Sequence, residues 1–280
     1  MSRRYRLEAQ ELATAEAMGQ GRMPPRPRPA AGVILARDAE IGPEVLLVRR
    51  RADVGFAAGA YVFPGGVLDA ADADAAWEDW LDEPPEEAVM GAADPDGPSA
   101  RTFVVAGLRE LFEETGVLLA SGPTPRPEVL AEERKALVAG RRLFIDIVSS
   151  LDLTLAGDRL VLCARWITPE SLSRRYDARF FFVEAPPATQ VSAELGELVD
   201  HVWITPGEAL ARYFDYDLHM LFPTARTLGW LEAGESVAEW RECFRGTEIK
   251  AILPRLRRFD GDVVPVMPGE PRYDEREGDG

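Results

Sequence analysis

Residues 109–116 read Arg-Glu-Leu-Phe-Glu-Glu-Thr-Gly, which sets Glu110, Glu113 and Glu114 at spacings i, i+3 and i+4. On an α-helix these three side chains lie side by side, with Cβ atoms roughly 5–6 Å apart. Leu108, Leu111 and Phe112 fall on the other face and would anchor the segment in a core. Gly116 is placed as the residue that ends the helix in a left-handed conformation, with Val117 after it for the usual apolar contact. The segment is therefore a helix whose last turn carries three carboxylates. Like-charge repulsion and the negative end of the helix dipole both oppose that arrangement. A solvated face would normally interleave lysines, and this one has none. A hard divalent cation, Mg²⁺ or Mn²⁺, is the simplest compensation, because such ions prefer carboxylate oxygens.

The segments around this helix place it in an α/β or α+β sandwich, one domain with insertions. "AAGVILARD" and "EVLLVRRR" are apolar, β-rich runs separated by a Gly/Pro turn, and read as a hairpin of buried strands. "AYVFPGGVL" is a third strand broken by Pro64, Gly65 and Gly66. Residues 69–98 are acidic and Pro/Ala-rich, and read as an insertion with "DAAWEDWLDE" as a short amphipathic helix. A lid and a dimer contact, the latter making a homodimer, are both open for the part around Trp77 and Trp80. Downstream, "RPEVLAEERKALVAGRRLFIDIVSSLDL" gives two helices, and "DRLVLCARWIT", "ARFFFVEA" and "VDHVWIT" give strands. "TPGEALARYF" starts a helix with Thr205 as N-cap and Pro206 at its first position. The domain reading is a polar N-terminal helix and Pro/Arg linker over 1–29 and a main domain over 30–215, with the insertion at about 73–100. A C-terminal helical extension follows over 216–280, with a tail frayed beyond Pro268.

Composition narrows the function classes. A net charge of -16 argues against a nucleic-acid surface, which needs basic stripes, but leaves room for a local basic pocket. Two cysteines without a CxxC pair indicate a reducing compartment with neither a disulfide framework nor a zinc site. No apolar run approaches the ~18 residues of a membrane span. "MSRRYRLEAQ" has no apolar stretch after its arginines, so it is not a secretion signal. The expected location is cytoplasmic.

"RELFEETGV" matches every position of the second half of the Nudix signature, G-x5-E-x7-R-E-U-x-E-E-x-G-U with U aliphatic. The matching residues are Arg109, Glu110, Leu111, Glu113, Glu114, Gly116 and Val117, and "FPGG" supplies the opening glycine as Gly66. The chain thus resembles the Nudix hydrolase superfamily. It departs from the signature twice: Asp72 stands where glutamate is expected, and residues 73–108 replace a seven-residue spacer. Long insertions at this point, with "AYVFPGGVLDAAD", "WITPESLSRRYDARFFF" and "WITPGEAL", look like the branch containing the peroxisomal coenzyme A diphosphatases and their bacterial relatives.

The resemblance implies a Nudix-type α/β/α sandwich with a mixed sheet, plus the helical insertion and extension. It also implies a diphosphatase whose metal-activated water splits a small-molecule nucleoside diphosphate derivative, favouring coenzyme A or acyl-coenzyme A. ADP-ribose, a dinucleotide, a nucleotide sugar, and a non-catalytic nucleotide-sensing module are the alternatives. Carried onto this chain, Glu110, Glu113, Glu114 and the Gly66 carbonyl are the metal ligands, and Glu113 or Glu114 alternatively orients the attacking water. Arg109 is structural, pairing with a carboxylate. Asp72 is expected to be an exposed loop residue rather than an outer partner. Glu194 and Glu197 precede a strand where a further base or metal-binding glutamate often lies in this superfamily, and Glu197 is preferred. Arg49, Arg50 and Arg51, with Arg174, Arg175 and Arg179, are candidates to clamp phosphates. Trp166 and Phe180–Phe182 are expected in the core rather than against a base.

Overall fold

The computed structural model describes Tyr5 and residues 23–53, 57–82, 97–192, 198–245, 247–259 and 262–275. In chain order, the strands β1 (Arg28–Arg37), β2 (Glu44–Arg50), β3 (Tyr61–Val62) and β4 (Gly65–Val67) lead into two 3₁₀ turns, Ala70–Ala73 and Ala75–Asp79. Helix α1 (Ala100–Thr115) follows, then β5 (Ala120–Ser121), α2 (Pro127–Val138), α3 (Phe144–Ser150) and β6 (Thr154–Leu155). Strands β7 (Val161–Ile167), β8 (Tyr176–Glu184) and β9 (Leu198–Ile204) precede α4 (Pro206–Phe214), α5 (Phe222–Leu231) and α6 (Val237–Phe244). The chain closes on β10 (Ala251–Ile252), β11 (Arg255–Phe259) and β12 (Asp262–Val266).

One mixed sheet of eight strands runs in the order β10-β7-β8-β1-β2-β3, with β4 paired to β1 and β9 to β2. β1 and β8 pair in parallel over nine residues, from Arg28↔Tyr176 to Ala36↔Glu184. β1 meets β2 only at Ala36 and Arg37 and meets β4 at Ala30, Ala31 and Gly32, so the sheet opens between its halves and β4 fills the mouth.

Alternation along β1 assigns the two faces. Ala31, Val33 and Leu35 point into one core with Phe103, Leu108, Leu111 and Phe112 of α1, while Ile34 and Ala36 point into a second core. That second core holds Leu210 of α4, Leu228 of α5 and Trp240 of α6, which completes an α/β/α sandwich.

The expected elements of the main sheet are present, and Thr205 caps α4 as anticipated, accepting a hydrogen bond from the Glu208 N–H. Two readings change. Within "DAAWEDWLDE", Ala75–Asp79 is a 3₁₀ turn in place of a longer amphipathic helix, capped by Asp74, whose side chain accepts from the Ala76 N–H; Asp69 caps the preceding turn by accepting from the Ala71 N–H. Trp77 is fully buried against Phe144 and donates Nε1–H to the Ala71 carbonyl at 3.0 Å, so this side chain belongs to the core. The C-terminal region is more than helical: β10 joins the main sheet and β11–β12 form a hairpin. The Asp260-Gly261 dipeptide between those two strands is a hairpin signal in the sequence. The proposed N-terminal helix lies outside the described residues.

Candidate active site

Helix α1 is fixed at both ends. Ser99 caps its start by accepting from the Thr102 N–H, and Gly116 ends it at φ 77°, its N–H donating to the Phe112 carbonyl at 2.9 Å. Leu108, Leu111 and Phe112 are buried, which turns Glu110, Glu113 and Glu114 toward a cleft of about 570 Å³. Gly65 and Gly66 of β4 and Arg50 of β2 line the same end of that cleft.

Arg109 organises the carboxylates. Its Nε and Nη2 donate to both Asp72 oxygens at 2.8 and 3.0 Å. Its Nη1 donates to Glu110 at 2.9 Å and Glu113 at 3.2 Å, and Nη2 reaches the Val67 carbonyl at 3.0 Å. Burial alone would lower the Arg109 pKa, but Asp72, Glu110 and Glu113 outweigh it and raise the value well above the usual one. The expectation for Asp72 is therefore overturned. Its side chain is 1% exposed, because the 3₁₀ turn folds back onto α1 and the Asp69 N–H also holds it, at 2.7 Å.

Glu114 accepts from the Gly65 N–H at 2.8 Å. Burial first, then repulsion from Glu110, pushes its pKa up to about 8, although the Gly65 N–H and Arg50 pull the other way. Burial also raises Glu110 to about 7, partly offset by Arg109 and reinforced by Glu113. Both carboxylates keep some exposed area because they face the cleft. A Cβ on Gly66 would overlap the Glu110 carboxylate, so that position requires glycine for close approach.

These groups fit a hard divalent cation in kind: carboxylate oxygens, two of them short of positive charge, at the wall of a cleft. Among the described residues, however, no three Asp, Glu, His or Cys groups converge as a ready ligand set. Glu110 and Glu113 are drawn to Arg109, and Glu114 to Gly65. Glu110, Glu113 and Glu114 would be the residues to hold such an ion, and Arg109 has Asp72 as a further partner.

The arginine candidates are distributed differently. Arg49 lies 5.8 Å from the Tyr61 ring, and Arg51 pairs with Asp53 in solvent. Arg174 is exposed in the loop before β8. Arg175 is buried and donates to the Thr168 and Pro25 carbonyls, tying the chain before β1 to the loop before β8. Arg179 points to the α1 face, with its guanidinium 3.7 Å from the Phe103 ring, because strand alternation turns it away from the cleft. Of the six, Arg50 lines the cleft. Phe181 and Phe182 are core, as expected; Trp166 and Phe180 also border the cleft. Glu194 and Glu197 lie outside the described residues.

One structural contributor was missed. Arg134 of α2 donates Nε–H to the Glu113 carbonyl at 2.9 Å and so satisfies the C-terminal end of α1. Within "AEERKAL" nothing distinguishes it from a surface charge.

A family model, the NUDT19 Nudix domain, matches residues 12–231. The chain belongs to that family. A human relative, acyl-coenzyme A diphosphatase NUDT19, is 29% identical over 89% of this chain and 75% of its own length. The Gallus gallus protein of the same name is 27% identical over 89% of this chain and 80% of its own. Among solved structures, a NUDIX hydrolase from Alicyclobacillus acidocaldarius is 28% identical, with a TM-score of 0.63 over 78% of this chain and 96% of that one. As a NUDT19-type Nudix protein, the chain is a pyrophosphohydrolase of small molecules, and the cleft beside Glu110–Glu114 is its candidate active site. Among the described residues, no helix is long and apolar enough to cross a membrane.

Proposed function

We propose that the protein hydrolyses the diphosphate linkage of coenzyme A or an acyl-coenzyme A, using Mg²⁺ or Mn²⁺ held by Glu110, Glu113 and Glu114. The observation that carries this reading is the trio of cleft-facing glutamates, two with raised pKa values, on the helix of a chain whose relatives are named acyl-coenzyme A diphosphatases. When bound, the divalent ions supply neutralisation of the diphosphate charge and activation of water.

The chain's own residues do the positioning. Asp72 holds Arg109, and Arg109 in turn holds Glu110 and Glu113, side chains that would bind the cation. Gly65 and Gly66 let the chain approach Glu114 and Glu110 closely. Glu113, with 24% of its side chain exposed, is the most accessible of the Arg109-bonded carboxylates and is the candidate to orient water and take its proton. The water oxygen joins one phosphorus, the bond from that phosphorus to the bridging oxygen breaks, and the other phosphate leaves with that oxygen. Glu197 is retained as a second candidate base, and Arg50, which lines the cleft, as the contact to the phosphates.

Mass spectrometry of products tests this reading. The protein, with Mg²⁺ or Mn²⁺, is incubated with coenzyme A, acyl-coenzyme A, ADP-ribose, NADH and nucleotide sugars, beside a Glu114→Gln variant. Cleavage of a coenzyme A substrate between its phosphates, lost in the variant and without metal, is expected. Cleavage of ADP-ribose or a nucleotide sugar alone refutes the substrate class. Ligand-induced thermal stabilisation without any turnover refutes catalysis and leaves a sensing module.

A further inference from the structure

Tyr5 joins the second core from a distant point in the sequence. Its half-buried ring meets Phe214 edge-on at 5.4 Å and Phe222 edge-on at 5.8 Å, and lies 6.2 Å from the Tyr213 ring. The Arg226 guanidinium stands 5.0 Å from the ring centre. Tyr213 and Phe214 close α4, whereas Phe222, Arg226 and Gly229, at i, i+4 and i+7, share one face of α5. The tyrosine thus wedges between two helices, and Gly229 makes room for its tip. A Cβ on Gly229 would meet the Tyr5 hydroxyl oxygen at 2.8 Å, closer than such atoms pack. Glycine inside a helix is unfavourable relative to alanine, and the ring it admits gives this one a reason.

Phe222 connects this socket to the cleft. It lines the cleft at the start of α5, and its ring meets Trp166 of β7 edge-on at 5.7 Å. Trp166, also on the cleft wall, stacks on Trp230 at 5.5 Å and 7°. One row of rings therefore runs from Tyr5 through Phe222 and Trp166 to Trp230, and such pairs favour particular geometries beyond the area they bury. No side chain caps the start of α5, so packing is what holds its first turn. We propose that Tyr5 is a positioning residue for the hydrolase: by filling the socket over Gly229 it holds Phe222 where that ring forms the cleft wall. β8 and β1 separate Trp166 on β7 from Gly65 and Gly66 on β4, so the wall set by Phe222 lies away from Glu110 and Glu114. Substrate and transition state touch such a wall alike, and loosening it raises KM with kcat unchanged.

The test compares wild type with Tyr5→Ala, Tyr5→Phe, Gly229→Ala and the double variant Tyr5→Phe/Gly229→Ala. Two readouts are taken on each: kcat and KM for coenzyme A with Mg²⁺, and the far-ultraviolet exciton couplet of the stacked Trp166–Trp230 pair without substrate. The kinetic readout rests on the coenzyme A reading above, and the couplet does not. Tyr5→Ala and Gly229→Ala are each expected to raise KM about fivefold, to leave kcat within about twofold, and to weaken the couplet. Tyr5→Phe removes the oxygen that the new Cβ would strike, so the double variant should recover the KM and couplet of Tyr5→Phe alone. Melting temperatures establish that each variant folds. Variants that melt earlier with KM and couplet unchanged make Tyr5 a stabilising contact only and overturn the proposal. Gly229→Ala equally impaired with and without Tyr5→Phe overturns it as well. If wild type hydrolyses no coenzyme A substrate, that reading fails by itself, and the couplet still decides the role of Tyr5.

Discussion

Glu114 offers the sharpest test of why three carboxylates share one helix turn. In the metal-free protein its folded pKa is about 8, against an ordinary 4.5, chiefly because of burial. A carboxyl whose folded pKa is raised keeps its proton where the unfolded chain has already released one. Stability is therefore fully present below about pH 4.5 and is lost as pH rises through 8. At pH 7, which is 2.5 units above the unfolded value of 4.5, the loss corresponds to roughly 3 kcal/mol at 1.36 kcal/mol per unit. Glu110, raised to about 7, acts in the same direction, and its coupling to Glu114 makes the two less than additive. Glu114→Gln removes the titration, and its amide oxygen still accepts from the Gly65 N–H. Thermal melts in chelator from pH 5 to 8 should show wild type falling steeply and the variant falling less. The variant should lead by about 5–10 °C at pH 7.5, since 1 kcal/mol moves the melting point of a domain this size by about 2–4 °C. Added Mg²⁺ should reverse the order, raising wild type more than Glu114→Gln. Parallel pH curves for the two proteins, or equal gains with Mg²⁺, would refute the claim that Glu114 is a buried charge awaiting a cation.

Three further perturbations probe the scaffold around it. Asp72→Asn leaves Arg109 buried with a neutral partner; unfolding in urea should show a loss of about 2–4 kcal/mol, with kcat reduced more than KM is raised. Gly66→Ala drives a Cβ into the Glu110 carboxylate, so hydrolysis should fall at least a hundredfold while far-ultraviolet circular dichroism stays native. Arg134→Gln removes the donor to the Glu113 carbonyl and should lower stability by about 1–2 kcal/mol in thermal melts, with weaker binding of Mg²⁺ by calorimetry.

The residues that announced the site did so because their chemistry is local. The i, i+3, i+4 glutamates, the apolar face of Leu108, Leu111 and Phe112, and the closing Gly116 all lie within one helix, whose period alone brings them together. The strands were legible for a similar reason: β1, β7 and β8 are apolar and β-branched or aromatic, and buried on both faces. What stayed hidden depends on partners distant in sequence. Arg134 reads as one cation among several until α2 is placed against the end of α1. Arg175 and Arg179 read as phosphate clamps until strand alternation and the approach of Pro25 and Phe103 assign them to packing.

Asp72 shows how a signature survives a changed spacing. Its spacer to Arg109, residues 73–108, replaces the seven residues of the usual motif. Lengthening a loop from 7 to 36 residues adds only about 1.5 kcal/mol of closure entropy, because that term grows with the logarithm of length. The structure offsets it near the start of the insertion. Trp77 is fully buried against Phe144, a contact whose loss on truncation to alanine is worth about 3–5 kcal/mol. With Trp77 anchored, the 3₁₀ turn is fixed against α1, and a carboxylate one methylene shorter than glutamate still reaches Arg109 with both oxygens. Trp77→Ala should accordingly mimic Asp72→Asn in both stability and kcat, although Trp77 does not line the cleft. If it lowers stability and leaves kcat intact, the anchor and the active site are independent, and the pairing of Asp72 with Arg109 needs another explanation.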